Sequence, residues 1–394
     1  MSTATKTAKT AHTTFANTAQ MRAIVAGIAA NVPVIVWGNP GVAKTAKITS
    51  WARSWGHHTE TIVGGNREAT DFLGHPYVDD EGVTRYTDLR WARDLRNADA
   101  TAPAGKGLLI LDEFTTAAPS TQKGMLRVLE ERYVGDFHLG DHVAIVAIAN
   151  PPENGADAYD LPAPSANRLM HISWVFDRDE WFNGVATEFN NTSAPKMLDL
   201  IAGATPQSRA RAYQQVTAFL RHRPELLNPE PPKDAALAGK AWPSPRMWTK
   251  AIAVLAELHE RDDMAAAVVV EGCVGEGAAT EFIAWTHTAD LHDPVAVMSN
   301  PGIVNWFDER PDRLFALCGA VTMLATTSGT DNPVKAWEAG CQVMRACATA
   351  GKPDVAAPFM LQLNEKKPAE AAFADDVLDA FIELFTDMGI VKAA

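Results

Sequence analysis

The sequence predicts an α/β fold, with a parallel sheet in the first half of the chain and helices in the second half. Three continuous apolar runs, Pro33–Trp37, Gly107–Leu111 and Val143–Ala149, have the length of buried strands. Strands of a parallel sheet are covered on both faces and are therefore apolar throughout. Beyond about residue 176 the chain becomes alanine-rich, with helical spacing of apolar residues and proline-rich joints.

A helix is expected at about 16–30, ahead of the first strand, because Met21, Ile24, Val25 and Ile28 have helical spacing. The strand is followed by a loop and by a second helix that runs to about Trp55.

The loop has the order of parts that binds phosphate. It comprises Gly38, Asn39, Pro40, Gly41, Val42, Ala43, Lys44 and Thr45, and a strand, a glycine-containing loop and a helix that begins on Lys-Thr form the P-loop pattern. Loop N–H groups and a helix N-terminus point at anionic oxygens, Lys44 is expected at the β and γ phosphates, and the Thr45 hydroxyl is expected to ligate Mg²⁺. Ala43 departs from the pattern, which usually has glycine before the lysine.

The next segments predict a second strand and an insertion. Glu60–Val63 has the composition of a short strand. From Gly64 to Leu95, turn-forming clusters flank short β-leaning pieces, which predicts a hairpin-like insertion.

Two adjacent carboxylates, Asp112 and Glu113, end the second long apolar run. Ligands of open α/β sheets bind beyond the carboxyl ends of the strands, so this pair is expected on the strand beside the first one. Asp112 is expected to hold Mg²⁺, and Glu113 to accept a proton from the attacking water or polarise it. The alternative is a strand that ends in a solvated acidic turn.

A polar amide ends the third apolar run. A helix is expected over Pro119–Arg132, and the following strand ends on Asn150, whose amide could orient a water molecule. The alternative is an asparagine that makes an Asx turn. A last short strand is expected at His171–Val175.

The second half predicts helices. Arg221–Lys233 has the composition of a linker, and a later helix is expected to begin at Ser244 or Pro243 with Arg246 in its first turn. An arginine is unfavourable beside the positive end of a helix, so either a bound anion or solvent must compensate it. Further helical stretches are Leu314–Leu324, Val334–Ala348 and Phe373–Met388.

Composition restricts the classes of function. A net charge of -13 argues against a protein that mainly grips nucleic acid, although a local basic groove is compatible with it. Four cysteines without a C-x-x-C pair indicate buried thiols in a reducing cytoplasm rather than disulfides or zinc. No apolar run approaches the ~18 residues of a membrane span. Residues 1–14 are expected to form a disordered tail.

Taken in order, these motifs resemble those of AAA+ ATPases, and more closely those of the MoxR-like and dynein-related branch. The resemblance covers roughly 16–294. The residues that carry it are Gly38 to Thr45, Asp112-Glu113-Phe114, Ala118-Pro119-Ser120-Thr121-Gln122, Leu129-Glu130-Glu131-Arg132, Asn150-Pro151, Leu161-Pro162, Arg168 and Ser244-Pro245-Arg246. Alanine before the P-loop lysine also occurs in that branch.

The resemblance implies a role for further residues. Glu68–Tyr86 would be the helix-2 insert, used toward a central pore or a partner, and Arg246 would be a sensor arginine over the nucleotide. Arg168 would be the arginine finger that acts on the next subunit. Because this segment has Asn-Arg-Leu instead of the frequent Asp-Arg-Phe, Arg178 or Arg132 could be the finger instead.

The resemblance also implies an organisation and a function. The expected domains are an α/β nucleotide-binding core at 15–176, a helical lid at 177–292 and a helical extension at 293–394. The expected function is a cytoplasmic ATPase that uses ATP and Mg²⁺ to remodel a protein partner, such as a von Willebrand factor A type protein, as a hexameric ring. The alternatives are an ATP-gated binding switch with little hydrolysis and a DNA-acting motor.

Overall fold

Five parallel strands form the sheet of the first half, and short antiparallel pairs accompany them. The structure is a computed structural model, and it describes residues 18–98, 106–151, 159–186, 195–327 and 332–387. The strands are β1 (Val34–Trp37), β2 (His58–Val63), β3 (Pro76–Val78), β4 (Thr84–Tyr86), β5 (Gly107–Asp112), β6 (Tyr133–Val134), β7 (Phe137–His138), β8 (Val143–Ala149) and β9 (Met170–Ser173). The order in the sheet is β2-β5-β8-β1-β9, and β3-β4 and β6-β7 form hairpins.

The helices of the first half surround this sheet. They are α1 (Ala19–Ala29), α2 (Lys44–Ser54), α3 (Thr70–Leu73), α4 (Arg90–Arg96), α5 (Pro119–Glu131), α6 (Ala163–Ala166), α7 (Arg178–Ala186) and α8 (Met197–Leu200). Helix α1 begins where the Thr18 hydroxyl accepts the Met21 N–H at 3.2 Å. Helices α1, α2 and α4 pack on the sheet.

Every residue of β8 is buried, as are the first three of β1. A strand covered on both faces needs no alternation, which is why apolar runs were sufficient to locate them. The α/β parallel-sheet prediction is confirmed.

Helices make up the regular structure of the second half over its described residues. They are α9 (Pro206–His222), α10 (Ala235–Ala238), α11 (Pro245–Leu255), α12 (Asp263–Val274), α13 (Glu276–Thr286), α14 (Pro294–Ser299), α15 (Pro311–Ala325), α16 (Pro333–Thr349), α17 (Pro353–Glu365), α18 (Asp375–Ala380) and α19 (Ile382–Asp387), with short 3-10 turns between some of them. Helix α9 packs on α11, α13 and α15, and α16 packs on α15 and α17.

Contacts divide the chain into two compact units. One takes in the described residues up to Ala202 together with Met264–Val268, and the other takes in Gly203–Asp263 and the described residues from Val269 onward. Helices of the expected lid and of the expected extension therefore belong to the same unit, and the domain limits inferred from the sequence remain predictions. The expected tail at 1–14 lies outside the described residues.

Several element predictions need correction. The expected linker at Arg221–Lys233 begins inside α9, which continues to His222 because Val216 and Phe219 keep its buried face in register. The expected helix Phe373–Met388 is divided over its described part, because Phe381 leaves helical geometry and is buried beside Phe385. The last strand begins one residue earlier than expected and ends at Ser173.

Two features of the first half were not predicted in detail. The insertion contains the expected hairpin, β3-β4, but also the helices α3 and α4. The β6-β7 hairpin was missed, because strands of two residues are too short to show a period.

The four cysteines are free and buried, as expected. Burial raises the pKa of Cys273 and of Cys341 to about 12, so both thiols stay protonated at neutral pH. In the described part of the chain, no helix combines the length and apolar character needed to cross a bilayer.

Candidate nucleotide site

The loop Gly38–Thr45 connects β1 to α2 at the carboxyl edge of the sheet. The Lys44 side chain is buried, and its Nζ donates to the carbonyls of Gly38 at 2.6 Å and Asn39 at 2.9 Å. It also donates to Asn150 Oδ1 at 3.1 Å. Burial lowers the pKa of Lys44, whereas the Asp112 carboxylate acts in the opposite direction.

Asn150 follows β8, which is paired directly with β1. Its side-chain oxygen therefore meets the loop lysine, and its position beside the loop is as expected. The Asn150 side-chain oxygen thus has a hydrogen-bond partner, Lys44, that does not belong to an Asx turn.

Asp112 also reaches the loop. The Thr45 hydroxyl donates to Asp112 Oδ2 at 2.7 Å, and the Glu113 N–H donates to Asp112 Oδ1 at 2.9 Å. The expectation that β5 neighbours β1 is wrong, because β8 lies between them. Thr45 nevertheless reaches Asp112, since it stands on the first turn of α2. Asp112 is thus tied to the loop by a hydrogen bond, whereas Glu113 is exposed at the start of the turn that follows β5.

Glu113 adopts the left-handed conformation, with φ of 51°. Such a conformation is uncommon for a residue with a Cβ and is enriched at functional sites. Thr116 stabilises the turn by donating its N–H and hydroxyl to the Glu113 carbonyl, at 3.2 and 2.9 Å. The carboxylate is directed toward Gly65, where a Cβ would lie 2.9 Å from Glu113 Oε2. A side chain at Gly65 would displace the carboxylate.

Ala43 has φ of 61° and ψ of 26°, the left-handed region that glycine adopts without cost. Strain of about 1–2 kcal/mol is the general cost for a residue with a Cβ. Alanine at position 43, where the P-loop pattern has glycine, therefore raises the energy of the backbone.

The residues suited to Mg²⁺ are Thr45 and Asp112. Mg²⁺ prefers oxygen ligands, keeps several waters and takes only one or two carboxylates from the protein. A hydroxyl and a carboxylate oxygen 2.7 Å apart meet that requirement. Over the described ranges there is no cluster of three or more His, Cys, Asp or Glu side chains that could hold a metal ion.

Arg168 is not brought together with these residues. It precedes β9, whose Met170 pairs with Val34 at the start of β1, so Arg168 lies at the amino edge of the sheet. Four residues of strand separate that edge from the loop, which corresponds to roughly 13 Å. Its guanidinium pairs with Glu130 and donates to the Pro164 carbonyl.

The two alternative finger residues differ. The Arg132 guanidinium is partly buried and donates to the carbonyls of Val143 and, at 3.1 Å, of Asn31. Burial lowers its pKa. These contacts connect the amino ends of β1 and β8, a structural role. Arg178 is exposed at the start of α7.

Arg246 lies in the second compact unit, on the exposed side of the first turn of α11. The helix start is as expected, with Ser244 Oγ accepting the Met247 N–H at 3.2 Å and Pro245 in the first turn. Its sensor role remains a prediction.

Contacts that the sequence did not indicate support the loop. Trp174 packs on Gly38, where a Cβ would come within 2.8 Å of the Trp174 Cβ. Trp37 Nε1 donates to His171 Nδ1 at 3.1 Å, and the rings stack with centroids 6.0 Å apart. Only the pairing of β1 with β9 reveals these contacts.

The β3-β4 hairpin within the insert Glu68–Tyr86 carries exposed apolar side chains. These are Tyr77, Val78 and Tyr86 on the strands and Val83 just before β4. Its Asp79 carboxylate pairs with Arg85 and accepts N–H groups of the turn, which fixes the tip of the hairpin.

Comparison with known proteins agrees with this geometry. Residues 33–160 match the family model of the AAA domain, dynein-related subfamily. Midasin of Giardia intestinalis is 23% identical over 186 residues, which are 45% of this chain and 4% of Midasin. Protein MoxR of Methylorubrum extorquens is 28% identical over 167 residues, 40% of this chain and 45% of MoxR.

Chaperone MoxR1 of Mycobacterium tuberculosis is 26% identical over 151 residues, 37% of each chain. The matches therefore span less than half the length of each of these relatives. They fall on a chain whose parallel sheet, phosphate loop and Thr45–Asp112 contact have the arrangement of a P-loop protein. The family match over residues 33–160, the MoxR relatives and the fold together support a MoxR-like, dynein-related AAA+ ATPase domain in this chain.

Proposed function

We propose that this chain binds and hydrolyses ATP with Mg²⁺, and that it uses the energy to remodel a protein partner as a member of a ring of subunits. The observation that carries the proposal is the Thr45–Asp112 hydrogen bond at 2.7 Å. It joins the helix after the phosphate loop to the strand that delivers the two carboxylates, as a hydrolytic phosphate site requires.

The proposed roles follow from these positions. Lys44 neutralises charge on the phosphates, and Thr45 and Asp112 hold Mg²⁺, which supplies further positive charge there. Glu113 polarises the attacking water and accepts its proton. Asn150, whose oxygen already accepts a hydrogen bond from Lys44, positions that water through its amide N–H group.

The position of Arg168 supports an oligomer. A residue at the amino edge of the sheet cannot reach the phosphates bound at the carboxyl edge of its own subunit. Arg168 would therefore act on the neighbouring subunit, and a closed ring, for which we propose six copies, gives every site such an arginine. Arg246 is proposed as the sensor arginine of the nucleotide.

The exposed apolar hairpin within Glu68–Tyr86 supports a protein partner, because grouped apolar side chains on a surface mark interaction sites. A von Willebrand factor A type protein is the proposed class. The proposed compartment is the cytoplasm, where four free thiols remain reduced.

Glu113→Gln tests the proposal. The amide cannot accept a proton, so we expect the variant to bind ATP with wild-type affinity. Its rate of phosphate release should fall by about 100-fold or more. Glu131→Gln is the matched control, because Glu131 is an exposed residue at the end of α5 that pairs with Arg127. Wild-type turnover in the Glu113 variant would refute the mechanism. A wild-type protein that binds ATP without hydrolysing it would favour the ATP-gated switch.

A further inference from the structure

An aromatic pair lies directly against the phosphate loop. Trp174 follows β9 and packs on Gly38, where a Cβ would come within 2.8 Å of its Cβ and 3.5 Å of its Cγ. Its ring stacks on that of Trp51 in α2, with centroids 6.2 Å apart and planes at 30°. The backbone N–H of Trp174 donates to the Trp37 carbonyl at 2.6 Å. Trp174 therefore contacts both Gly38, the first residue of the loop, and Trp51 in the helix that follows the loop.

The two tryptophans differ in exposure. Trp51 is only 3% exposed, as expected for a residue that packs a helix on its domain. Trp174 is partly exposed, although it packs on the phosphate loop. Trp174 therefore keeps accessible surface at a position that adjoins Gly38, the first residue of the loop.

Charged groups lie close to the same aromatic pair. Lys47, one turn beyond Lys44 on α2, places its Nζ 5.5 Å from the centre of the Trp51 ring. Burial lowers the pKa of Lys47 to about 8, and the Asp177 carboxylate acts in the opposite direction. Asp177 is three residues beyond Trp174, so this attraction acts between α2 and the segment that follows β9.

We propose that the accessible surface of Trp174 contacts the nucleoside of a nucleotide whose phosphates are bound by Gly38–Thr45. The proposal rests on the proposed nucleotide binding and identifies a residue that recognises the other end of the same ligand. Nucleobases stack on aromatic rings regardless of their hydrogen-bonding edges. Trp174 therefore favours nucleotides over inorganic phosphates, and stacking by itself does not select adenine over guanine.

A comparison of two ligands tests the proposal. Magnesium tripolyphosphate offers the phosphates without a nucleoside, and magnesium ATP offers both, so calorimetric titration of each separates the two contributions. For Trp174→Leu we expect ATP affinity to fall by about 5- to 150-fold, the ratio given by a stacking energy of about 1–3 kcal/mol. We expect the affinity for tripolyphosphate to change by less than about 2-fold, because the Leu side chain still packs on Gly38.

Two further variants complete the design. Trp174→Phe keeps a ring and should retain most of the ATP affinity. Trp181→Leu is the matched control, because Trp181 is 46% exposed on α7 and its loss should leave both affinities unchanged. If Trp174→Leu does not fold, tryptophan fluorescence decides: ATP should quench emission of the wild type, and Trp174→Phe should lose that quenching.

The outcomes separate this proposal from the proposed function. If Trp174→Leu lowered the affinities for ATP and for tripolyphosphate equally, Trp174 would be a packing residue of the loop, and the inference would be overturned. Unchanged ATP affinity, or quenching that survives in Trp174→Phe, would overturn it as well. In each of those cases nucleotide binding by the wild type would still stand. A wild-type protein that binds neither ligand would overturn both proposals.

Discussion

Acidification is expected to destabilise the sheet through His171. Its Nδ1 accepts a hydrogen bond from Trp37 Nε1 at 3.1 Å, and its Nε2 lies 3.0 Å from the Ala166 carbonyl. This arrangement requires a neutral ring with its proton on Nε2, because a protonated ring cannot accept. Burial lowers the pKa of His171 to about 4, while the Ala166 carbonyl acts in the opposite direction.

The direction of the effect follows from linkage. The folded pKa of about 4 lies below the ordinary value of 6.5, so between these pH values the unfolded chain binds a proton that the folded chain does not. The stabilisation is complete above pH 6.5 and is lost as the pH falls toward 4. For one group with these two pKa values, the loss between neutral pH and pH 5 is about 2 kcal/mol.

The measurement compares the wild type with His171→Gln, which cannot titrate. Urea unfolding at neutral pH and at pH ~5 gives the free energy of unfolding, and hydrogen exchange of peptides that cover Val34–Trp37 reports on the sheet itself. We expect the wild type to lose about 2 kcal/mol more than the variant on acidification. Burial also lowers the pKa of His57 to about 4, and this contribution cancels because both proteins contain it.

Equal pH dependence of the two proteins would refute this account of His171. Stability of the wild type that rises on acidification, relative to the variant, would show that the sign is wrong.

Three other predictions concern the loop and the subunit contact. Lys44→Ala should abolish ATP binding in calorimetry, since it removes the ammonium group from the phosphates; measurable binding would contradict its role. Ala43→Gly should raise the free energy of unfolding by about 0.5–1 kcal/mol, because relief of left-handed strain exceeds the entropic cost of glycine. Urea unfolding measures this change, and a fall in the free energy of unfolding would contradict the prediction. Arg168→Ala should lose turnover and regain it on mixing with Glu113→Gln, because each mutant retains what the other lacks. Glu130→Ala, which releases the Arg168 guanidinium from its ion pair, should keep turnover, and failure of the mixture to recover activity in assembled rings would contradict a role in trans.

The sequence by itself determined the main elements of the first half and the order of its motifs. Strands such as Val143–Ala149 are recognisable because a strand buried on both faces must be apolar along its whole length. The phosphate loop is equally local, since the strand, the loop and the first helical turn occupy consecutive residues. The acidic pair and Asn150 were locatable because each directly follows an apolar run.

Only the tertiary structure decided which of these residues meet. The insertion of β8 between β1 and β5 gives Asn150 the place beside Lys44 and leaves Thr45 to reach Asp112. The pairing of β1 with β9 brings His171 to Trp37 and sets Arg168 at the opposite edge. The pairs of β1 with β8 and with β9 join residues more than a hundred positions apart, which no local period records. The sequence therefore supplied the parts of the site, and the order of the strands determined its geometry.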